Sequence, residues 1–229
     1  MKISVIIPVY NEESTIDEVL KKILEVPLKK EIIVVDDGST DRTGEILEDA
    51  RKKNADIITT HEAKINLGKG AAIRIGLKYV SGDIIIIQDA DLELDPSEYT
   101  ELVKPIMENR SEVVFGSRFL KPNPNIPLKS RFANWILVRT ANILYGLHLT
   151  DEATAYKVFK THVLKEIDLK CMRFEFCPEV IAKISKKGYE ITEVPISYNP
   201  RSDQEGKKIH YLRDGFQAIW TLIKYRFHD

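Results

Sequence analysis

Cysteine and long hydrophobic runs are scarce in this chain. Its 229 residues contain 2 cysteines, Cys171 and Cys177, and their spacing is not that of a paired metal motif. Charges or prolines interrupt every apolar stretch well before the roughly 20 residues that a membrane-spanning helix needs, and no signal peptide precedes the first apolar segment. We therefore expect a chain that does not span a membrane and that works in a reducing cytoplasm.

A net basic charge is also missing. The chain carries 34 Lys and Arg against 35 Asp and Glu, a formal net charge of -1. No overall basic field therefore attracts nucleic acid, although a local cluster such as Lys207 and Lys208 could still meet phosphates. Nucleic acid is not an expected partner, and with 43% hydrophobic residues the chain can bury the core of one large domain.

Two common nucleotide-binding signatures are absent as well. The first apolar strand leads into PVYNEE and not into GxGxxG, which weakens a dinucleotide-binding interpretation. PVYNEE is not the Gly-rich basic loop of a nucleotidyltransferase either. The segment NLGKGAAIRIG is not a P-loop, but Gly68 and Gly70 bracket Lys69 at a helix start, where backbone N–H groups can approach an anion.

The first half of the chain alternates apolar strands with helical segments. The strands are KISVIIPVY, EIIVVDD, ADIITT, DIIIIQDAD and EVVFGSR, and we predict helices over about 12–25, after Ser39 and Thr40, over about 69–79 and after Pro96. Runs such as IIVV lack polar alternation, which is typical of strands covered on both faces of a parallel sheet. The pattern predicts an α/β fold with a Rossmann-like, mostly parallel sheet flanked by helices.

The second half is less regular. KPNPNIP carries three prolines and is predicted to form a loop over the site. Helices are expected over about 130–145, about 178–187 and from about 211, with strands near YKVFK and YEITEVPISY. Two of these helices carry aromatic, apolar and basic residues together, which suits a membrane interface. Ordinary core packing is the alternative for either helix.

The most informative motif is QDAD, in which Asp89 and Asp91 follow an apolar strand directly. Two carboxylates at one strand end can hold Mg²⁺ or Mn²⁺ against a diphosphate, because hard cations prefer oxygen ligands and share their shell with substrate phosphates. Glu93 could add a ligand. The alternative is that these acids cap the following helix.

A second acidic pair, Asp36 and Asp37, ends another strand. Ligands of such sheets bind beyond the carboxyl ends of the strands, so one of these carboxylates could accept hydrogen bonds from a base or a ribose. In the alternative interpretation both serve the GSTD turn.

Together the motifs resemble a known family. PVYNEE, VVDDGSTDRT, NLGKGAAIRIG, QDADLE and GSR, then DEATAYKVF, EVPISY and EGKKI, occur in this order across the whole chain. The set resembles inverting nucleotide-sugar glycosyltransferases of family 2 with the GT-A fold, especially polyprenyl-phosphate glycosyltransferases similar to dolichol-phosphate mannose synthase.

The resemblance implies one GT-A domain over residues 1–229, with a nucleotide-sugar-binding half at about 1–119 and a less regular acceptor-binding half at about 120–229. It implies donor contacts from Pro8, Tyr10, Glu12, Asp37, Lys69, Asp89, Ala90 and Asp91. It implies metal ligands at Asp89, Asp91 and Glu93, although some lipid-phosphate members carry Gln at the last position. It implies acceptor-phosphate contacts from Arg118, Arg131, Arg201 and Lys207, and catalytic roles for Asp91, Arg118, Arg131 and Asp151.

The expected reaction is metal-dependent, inverting transfer of a hexosyl group from GDP-mannose or a UDP-sugar to a polyprenyl phosphate. An acceptor phosphate is already anionic at neutral pH and needs no strong base, so Asp151 is expected to act as a base, to orient the acceptor or merely to form a turn. Two alternatives stay open: a glycan or protein hydroxyl as acceptor, and a sugar-nucleotide-binding module without transfer activity. A lipid acceptor would place the chain peripherally on the cytoplasmic face of a membrane.

Overall fold

A single sheet organises the protein. The computed structural model describes residues 1–201 and 211–228, and within them seven strands form one sheet. The strands are β1 (Ile3–Val9), β2 (Lys30–Asp36), β3 (Ile58–Glu62), β4 (Ile84–Ile87), β5 (Val113–Ser117), β6 (Lys157–Lys160) and β7 (Ile191–Pro195). Their order across the sheet is β3-β2-β1-β4-β6-β5-β7.

The first four strands are parallel neighbours. β1 pairs with both β2 and β4, and β2 pairs with β3. All of β4, Ile84–Ile87, is fully buried, because helices cover both faces of the sheet. The predicted α/β fold with a mostly parallel sheet flanked by helices is confirmed.

β6 departs from the parallel order. It lies between β4 and β5 and is antiparallel to both. The start of β6 therefore lies at the same edge of the sheet as the carboxyl ends of β4 and β5. Residues 150–156, which precede this strand, are brought to the edge where ligands bind in such sheets.

Helices form a layer on each face of the sheet. They are α1 (Ile16–Glu25), α2 (Thr43–Lys53), α3 (Lys69–Gly76), α4 (Tyr99–Met107), α5 (Leu128–Tyr145), α6 (Thr161–Glu166), α7 (Phe176–Lys186) and α8 (Tyr211–Phe227). On one face Val19 of α1 and Leu102 of α4 share a buried core with Ile7. On the other face Ile73 of α3 and Ile184 of α7 share a core with Ile6. Adjacent residues of β1 thus serve opposite cores.

The first helix begins later than the sequence predicts. A start near residue 12 was expected, but α1 begins at Ile16. Asn11 has a φ of 48°, and the carbonyl of Glu12 accepts hydrogen bonds from the amides of Thr15 and Ile16 at 3.1 and 3.0 Å. Residues 11–15 therefore form a turn at the carboxyl end of β1. The short helix α6 was not predicted.

A buried carboxylate joins three segments at the opposite edge of the sheet. Glu31 of β2 accepts hydrogen bonds from Lys2 Nζ and Ser4 Oγ, both at 2.5 Å, and from the amide of Ser81 at 2.7 Å. Burial alone would raise the pKa of Glu31, but these hydrogen bonds outweigh it and lower the pKa to about 2. The charged form of Glu31 therefore stabilises the folded state.

We predict that Glu31→Gln lowers the free energy of unfolding by about 1–2 kcal/mol at pH 7, after allowance for solvent screening. A lowered pKa contributes stability above the ordinary value of 4.5 and loses it as the pH falls towards about 2. The difference from wild type should therefore shrink across this window. Urea unfolding at several pH values measures it, with Glu25→Gln at an exposed position as the control. A pH-independent difference would contradict the assignment.

Candidate active site

A cavity of about 410 Å³ opens at the carboxyl edge of the sheet. Its walls come from the ends of β1 and β4, the start of α3, the segment before β6, and the facing sides of α5 and α8. Of the residues predicted from the sequence it contains Pro8, Tyr10, Glu12, Asp37, Lys69, Asp89, Ala90, Asp91, Glu93, Arg118 and Arg201. The predicted donor contacts thus share one cavity.

The two aspartates of QDAD differ in their surroundings. Asp89 forms an ion pair with Lys69 at 2.5 Å. Asp91 accepts a hydrogen bond from the amide of Glu93 at 3.1 Å. Burial, together with the negative charges of Asp89 and Glu93, raises the pKa of Asp91 to about 7. A cation between the two aspartates would relieve this repulsion.

The Glu93 carboxylate has hydrogen-bond partners of its own. Its carboxylate accepts hydrogen bonds from the Tyr198 hydroxyl at 2.9 Å and the Arg201 amide at 3.0 Å. Among residues 1–201 and 211–228, no three acidic, histidine or cysteine side chains form a metal-holding group. Glu93 as a third ligand therefore stays a prediction, beside Asp89 and Asp91. These two oxygen donors fit a divalent cation that takes its remaining ligands from a diphosphate.

Arg201 contacts both Glu12 and Asp91 in this acidic region. Its guanidinium pairs with Glu12 at 2.6 Å, and its Nε donates to the carbonyl of Asp91 at 3.0 Å. Arg201 therefore links the ends of β1 and β4, as well as supplying positive charge to the cavity. Burial alone would lower the pKa of Arg201, but Glu12 and the nearby aspartate raise it.

Asp37 shapes the loop that leads into α3. It is 3% exposed, and its carboxylate accepts hydrogen bonds from the amides of Leu67 and Gly68 at 2.8 and 2.6 Å. Gly68 has a φ of 103°, and a Cβ there would lie 2.4 Å from the carbonyl oxygen of Met172. The position accepts only glycine. Asp37 and Gly68 together fix Lys69 at the cavity wall, and a nucleoside contact from Asp37 stays a prediction.

Asp151 lies behind the cavity wall and does not line it. It is fully buried, and its oxygens accept hydrogen bonds from Arg118 Nε and Nη2, both at 2.7 Å. The amides of Thr150 and Asp151 in turn donate to Glu193. Burial would lower the pKa of Arg118, but Asp151 raises it well above its usual value. In this structure the Asp151 carboxylate holds the Arg118 guanidinium, and a role of Asp151 as a base or in orienting the acceptor stays a prediction.

Two further cations, Arg131 and Lys207, were predicted to contact the acceptor phosphate. Arg131 is exposed, donates to the carbonyl of Asn123 at 2.7 Å and borders a separate apolar groove on α5. Its predicted contact with the acceptor phosphate is therefore not supported by its position. Lys207 lies outside the described residues.

Sequence reasoning missed several residues of the cavity. The cavity is also lined by Asn134 of α5, Glu152 before β6, Arg173 before α7, Tyr198 after β7, and Asp214 of α8. The antiparallel placement of β6 brings Glu152 to the site; the residue lies in the motif DEATAYKVF, but only Asp151 of that motif was assigned a role. Tyr198 was within the predicted strand YEITEVPISY, but its ring lies beside Arg118, 5.0 Å from the guanidinium carbon.

The chain is similar to glycosyltransferases of known family. Residues 4–168 match the family model described as Glycosyl transferase family 2. The chain is 31% identical over 96% of its length to a UDP-N-acetylglucosamine–dolichyl-phosphate N-acetylglucosaminyltransferase of Methanococcus voltae, covering 94% of that protein. It is 29% identical over 98% of its length to a dolichol-phosphate mannosyltransferase of Pyrococcus furiosus, but covers only 64% of that longer protein.

A solved structure shows the same fold. Glucosyl-3-phosphoglycerate synthase of Mycobacterium tuberculosis, crystallised with Mn²⁺, UDP and phosphoglyceric acid, superposes with a TM-score of 0.76. The alignment covers 100% of this chain and 79% of that one, at 20% identity. The likeness supports the predicted GT-A architecture and, at this identity, carries no statement about substrate.

We predict that Asp151→Ala lowers the free energy of unfolding by on the order of 3 kcal/mol, because it leaves the Arg118 guanidinium buried without its partner. Arg131→Ala removes an exposed arginine and should change stability by no more than about 0.5 kcal/mol. Denaturant unfolding of both variants beside wild type measures the difference. Equal effects would show that the Arg118–Asp151 pair does not hold this wall of the cavity.

Proposed function

The chain belongs to glycosyl transferase family 2 and is a glycosyltransferase, and on this premise we propose that it transfers a hexosyl group from a nucleotide-sugar to a polyprenyl phosphate with inversion. The observation that carries the proposal is one cavity in which the Asp89 and Asp91 carboxylates lie among the cationic side chains of Lys69, Arg118 and Arg201. Such a site suits a metal-bound diphosphate on one side and an anionic acceptor on the other.

The donor end of the cavity is the end of β1. Pro8 and Tyr10 line it, and we assign them to the nucleoside. A Mg²⁺ or Mn²⁺ ion held by Asp89 and Asp91 would supply positive charge to the diphosphate. Mn²⁺ and UDP are present in the mycobacterial structure of the same fold, which supports this choice.

The transfer itself needs little from the protein beyond charge and position. An acceptor phosphate oxygen attacks the anomeric carbon, the bond from that carbon to the diphosphate oxygen breaks, and the nucleoside diphosphate leaves with its electron pair. Arg118 and Arg201 are placed to stabilise anionic oxygens in this step. An anionic phosphate nucleophile loses no proton on attack, so a site in which Asp151 is buried behind Arg118 is compatible with it.

The acceptor is inferred from relatives. The Methanococcus and Pyrococcus proteins are named as transferases that use dolichyl or dolichol phosphate, and the first of these is covered almost completely by this chain. A polyprenyl phosphate is therefore the acceptor we propose. The two relatives differ in the sugar named, so GDP-mannose and UDP-sugars are both candidates for the donor.

We predict that the protein transfers radiolabelled sugar from one member of a panel of UDP- and GDP-sugars to a short polyprenyl phosphate in the presence of Mg²⁺ or Mn²⁺. Asp91→Asn should lower kcat/KM by at least about 100-fold, because it removes charge at the diphosphate. The extracted lipid product is the measurement. Chelation by EDTA should abolish product formation.

The matched control is Asp56→Asn, the same change at an exposed aspartate away from the cavity. It should retain wild-type activity. Transfer to a glycan or protein hydroxyl but not to lipid phosphate would overturn the proposed acceptor. Nucleotide binding without transfer to any acceptor would favour a binding module.

We also propose that α5 and α8 rest on a membrane surface. Phe132 and Trp135 of α5 are 64% and 55% exposed, and Phe216 and Trp220 of α8 are 73% and 57% exposed. The charged side chains exposed on the described parts of the two helices are all cationic: Lys129, Arg131, Arg139, Arg213, Lys224 and Arg226. Aromatic rings combined with cations suit an anionic lipid interface.

The same two helices line the cavity on their other sides, through residues such as Ala133, Leu137 and Ala218. A lipid phosphate could thus reach the cavity while its chain stays in the bilayer. None of the helices among the described residues has the length and hydropathy of a membrane span, so this contact would be peripheral.

We predict that Trp135→Ala combined with Trp220→Ala weakens binding to vesicles containing anionic phospholipid by at least about tenfold, since each removes an aromatic anchor that contributes on the order of 1–2 kcal/mol. Sedimentation with the vesicles measures binding. Met107→Ala, at an exposed apolar residue of α4, is the control and should bind like wild type. Equal binding by all three proteins would contradict the proposed surface.

A further inference from the structure

One buried carboxyl oxygen in the wall of the cavity has no hydrogen-bond partner among the described residues. Glu152 lines the cavity and is only 1% exposed. Its Oε1 accepts no hydrogen bond from any residue in the described parts of the chain. Neither the motifs nor the proposed transfer step uses this side chain.

The backbone around Glu152 is held firmly. Its amide donates to Asn134 Oδ1 at 3.0 Å, and its carbonyl accepts from Lys157 Nζ at 3.0 Å. Asn134 also donates to the carbonyl of Thr150 at 3.0 Å, so α5 and the start of β6 both fix this segment. The side chain is therefore placed at the cavity by its backbone contacts.

Keeping such a carboxyl unpaired is costly. A buried polar atom without a hydrogen-bond partner destabilises the folded state. Burial raises the pKa of Glu152 to about 7, with Lys157 and Arg118 opposing the shift and Asp151 adding to it. A ligand that supplies a hydrogen-bond donor would remove this cost when it binds.

The chemistry of that ligand group can be narrowed. A phosphate oxygen would be repelled by a carboxylate, and Glu152 belongs to no metal-holding group of three among residues 1–201 and 211–228. A hydroxyl donates a hydrogen bond to a carboxylate oxygen at no cost in charge. β6 neighbours β4, so the segment carrying Glu152 lies beside the strand end that carries Asp89 and Asp91, where the sugar joins the diphosphate in the proposed donor complex.

We propose that Glu152 accepts a hydrogen bond from a hydroxyl of the hexose being transferred, and that it thereby helps to determine which hexose the enzyme accepts. This inference rests on the proposed function, because the hexose enters the cavity as part of the nucleotide-sugar donor. Glu152 is then a specificity-determining contact to the donor sugar.

Calorimetry with Mn²⁺ tests the contact without any acceptor. The affinities of UDP-glucose, UDP-N-acetylglucosamine and GDP-mannose are compared with those of UDP and GDP for wild type, Glu152→Ala and Glu152→Gln. For one of these donors, wild type should bind the nucleotide-sugar more tightly than the corresponding nucleoside diphosphate. Glu152→Ala should bind that nucleotide-sugar about tenfold more weakly than wild type does. Affinity for UDP and GDP should change less than about twofold. Glu152→Gln retains an acceptor oxygen and should keep part of the gain.

The control is Glu190→Ala, which removes an exposed glutamate and should match wild type. Thermal unfolding provides a second measurement: Glu152→Gln should be at least as stable as wild type, because the buried negative charge is gone while the shape of the side chain is kept. A sugar-dependent gain that is absent in wild type or that survives in Glu152→Ala overturns the proposal, and so does an equal loss of UDP and GDP binding.

The two proposals fail separately. Absence of lipid product in the transfer assay would overturn the acceptor but leave the donor affinities interpretable. Lipid product with an unchanged donor preference in Glu152→Ala would overturn the role of Glu152 alone.

Discussion

Negative charge concentrated at the end of one buried strand is the constraint on which this site depends. Asp89, Asp91 and Glu93 lie within the six residues that follow β4, in a cavity where water screens little of their repulsion. The structure compensates with cations from distant segments. Lys69 pairs with Asp89, and Arg201 donates from its side chain to the Asp91 carbonyl and from its amide to the Glu93 carboxylate. These contacts join the end of β4 to the loop before α3 and to the segment that ends at Arg201. A bound metal would take over the neutralisation of the carboxylates, and the cations would then be available to the diphosphate.

The same reasoning explains the second wall of the cavity. A buried ion pair adds little stability in itself, but it fixes orientation when both partners are fully hydrogen-bonded. Asp151 accepts two of the five N–H donors of Arg118 in a fork, and Glu193 fixes the Asp151 backbone. Arg118 can therefore present its remaining donors to the cavity with little loss of side-chain entropy.

The sequence predicts the part of this arrangement that local pattern determines. Uninterrupted runs such as Ile84–Ile87 predict the parallel strands, and QDAD predicts an acidic pair at a strand end. Partners separated by long stretches of chain were beyond it: Arg118 and Asp151 are 33 residues apart, and Glu93 and Arg201 are 108 apart. The roles expected for Asp151 therefore did not include a pairing with Arg118, because a carboxylate looks the same in the sequence whether it faces ligand or arginine. The position of β6 was hidden for the same reason, since strand order depends on pairing and not on composition.

The fold shows which sides of α5 and α8 line the cavity and which are exposed. Helices that merely pack on a sheet expose a polar face, but here the sides turned away from the cavity expose Trp135 and Trp220 together with cations and without acids. An acceptor with a phosphate head and a hydrocarbon tail poses two opposite solvation problems, because its head needs a dry cationic cavity and its tail must stay in lipid. Under the proposed function, two helices that present one side to each environment would address both problems, and Glu152 on the cavity side would contact the sugar that is transferred to the head.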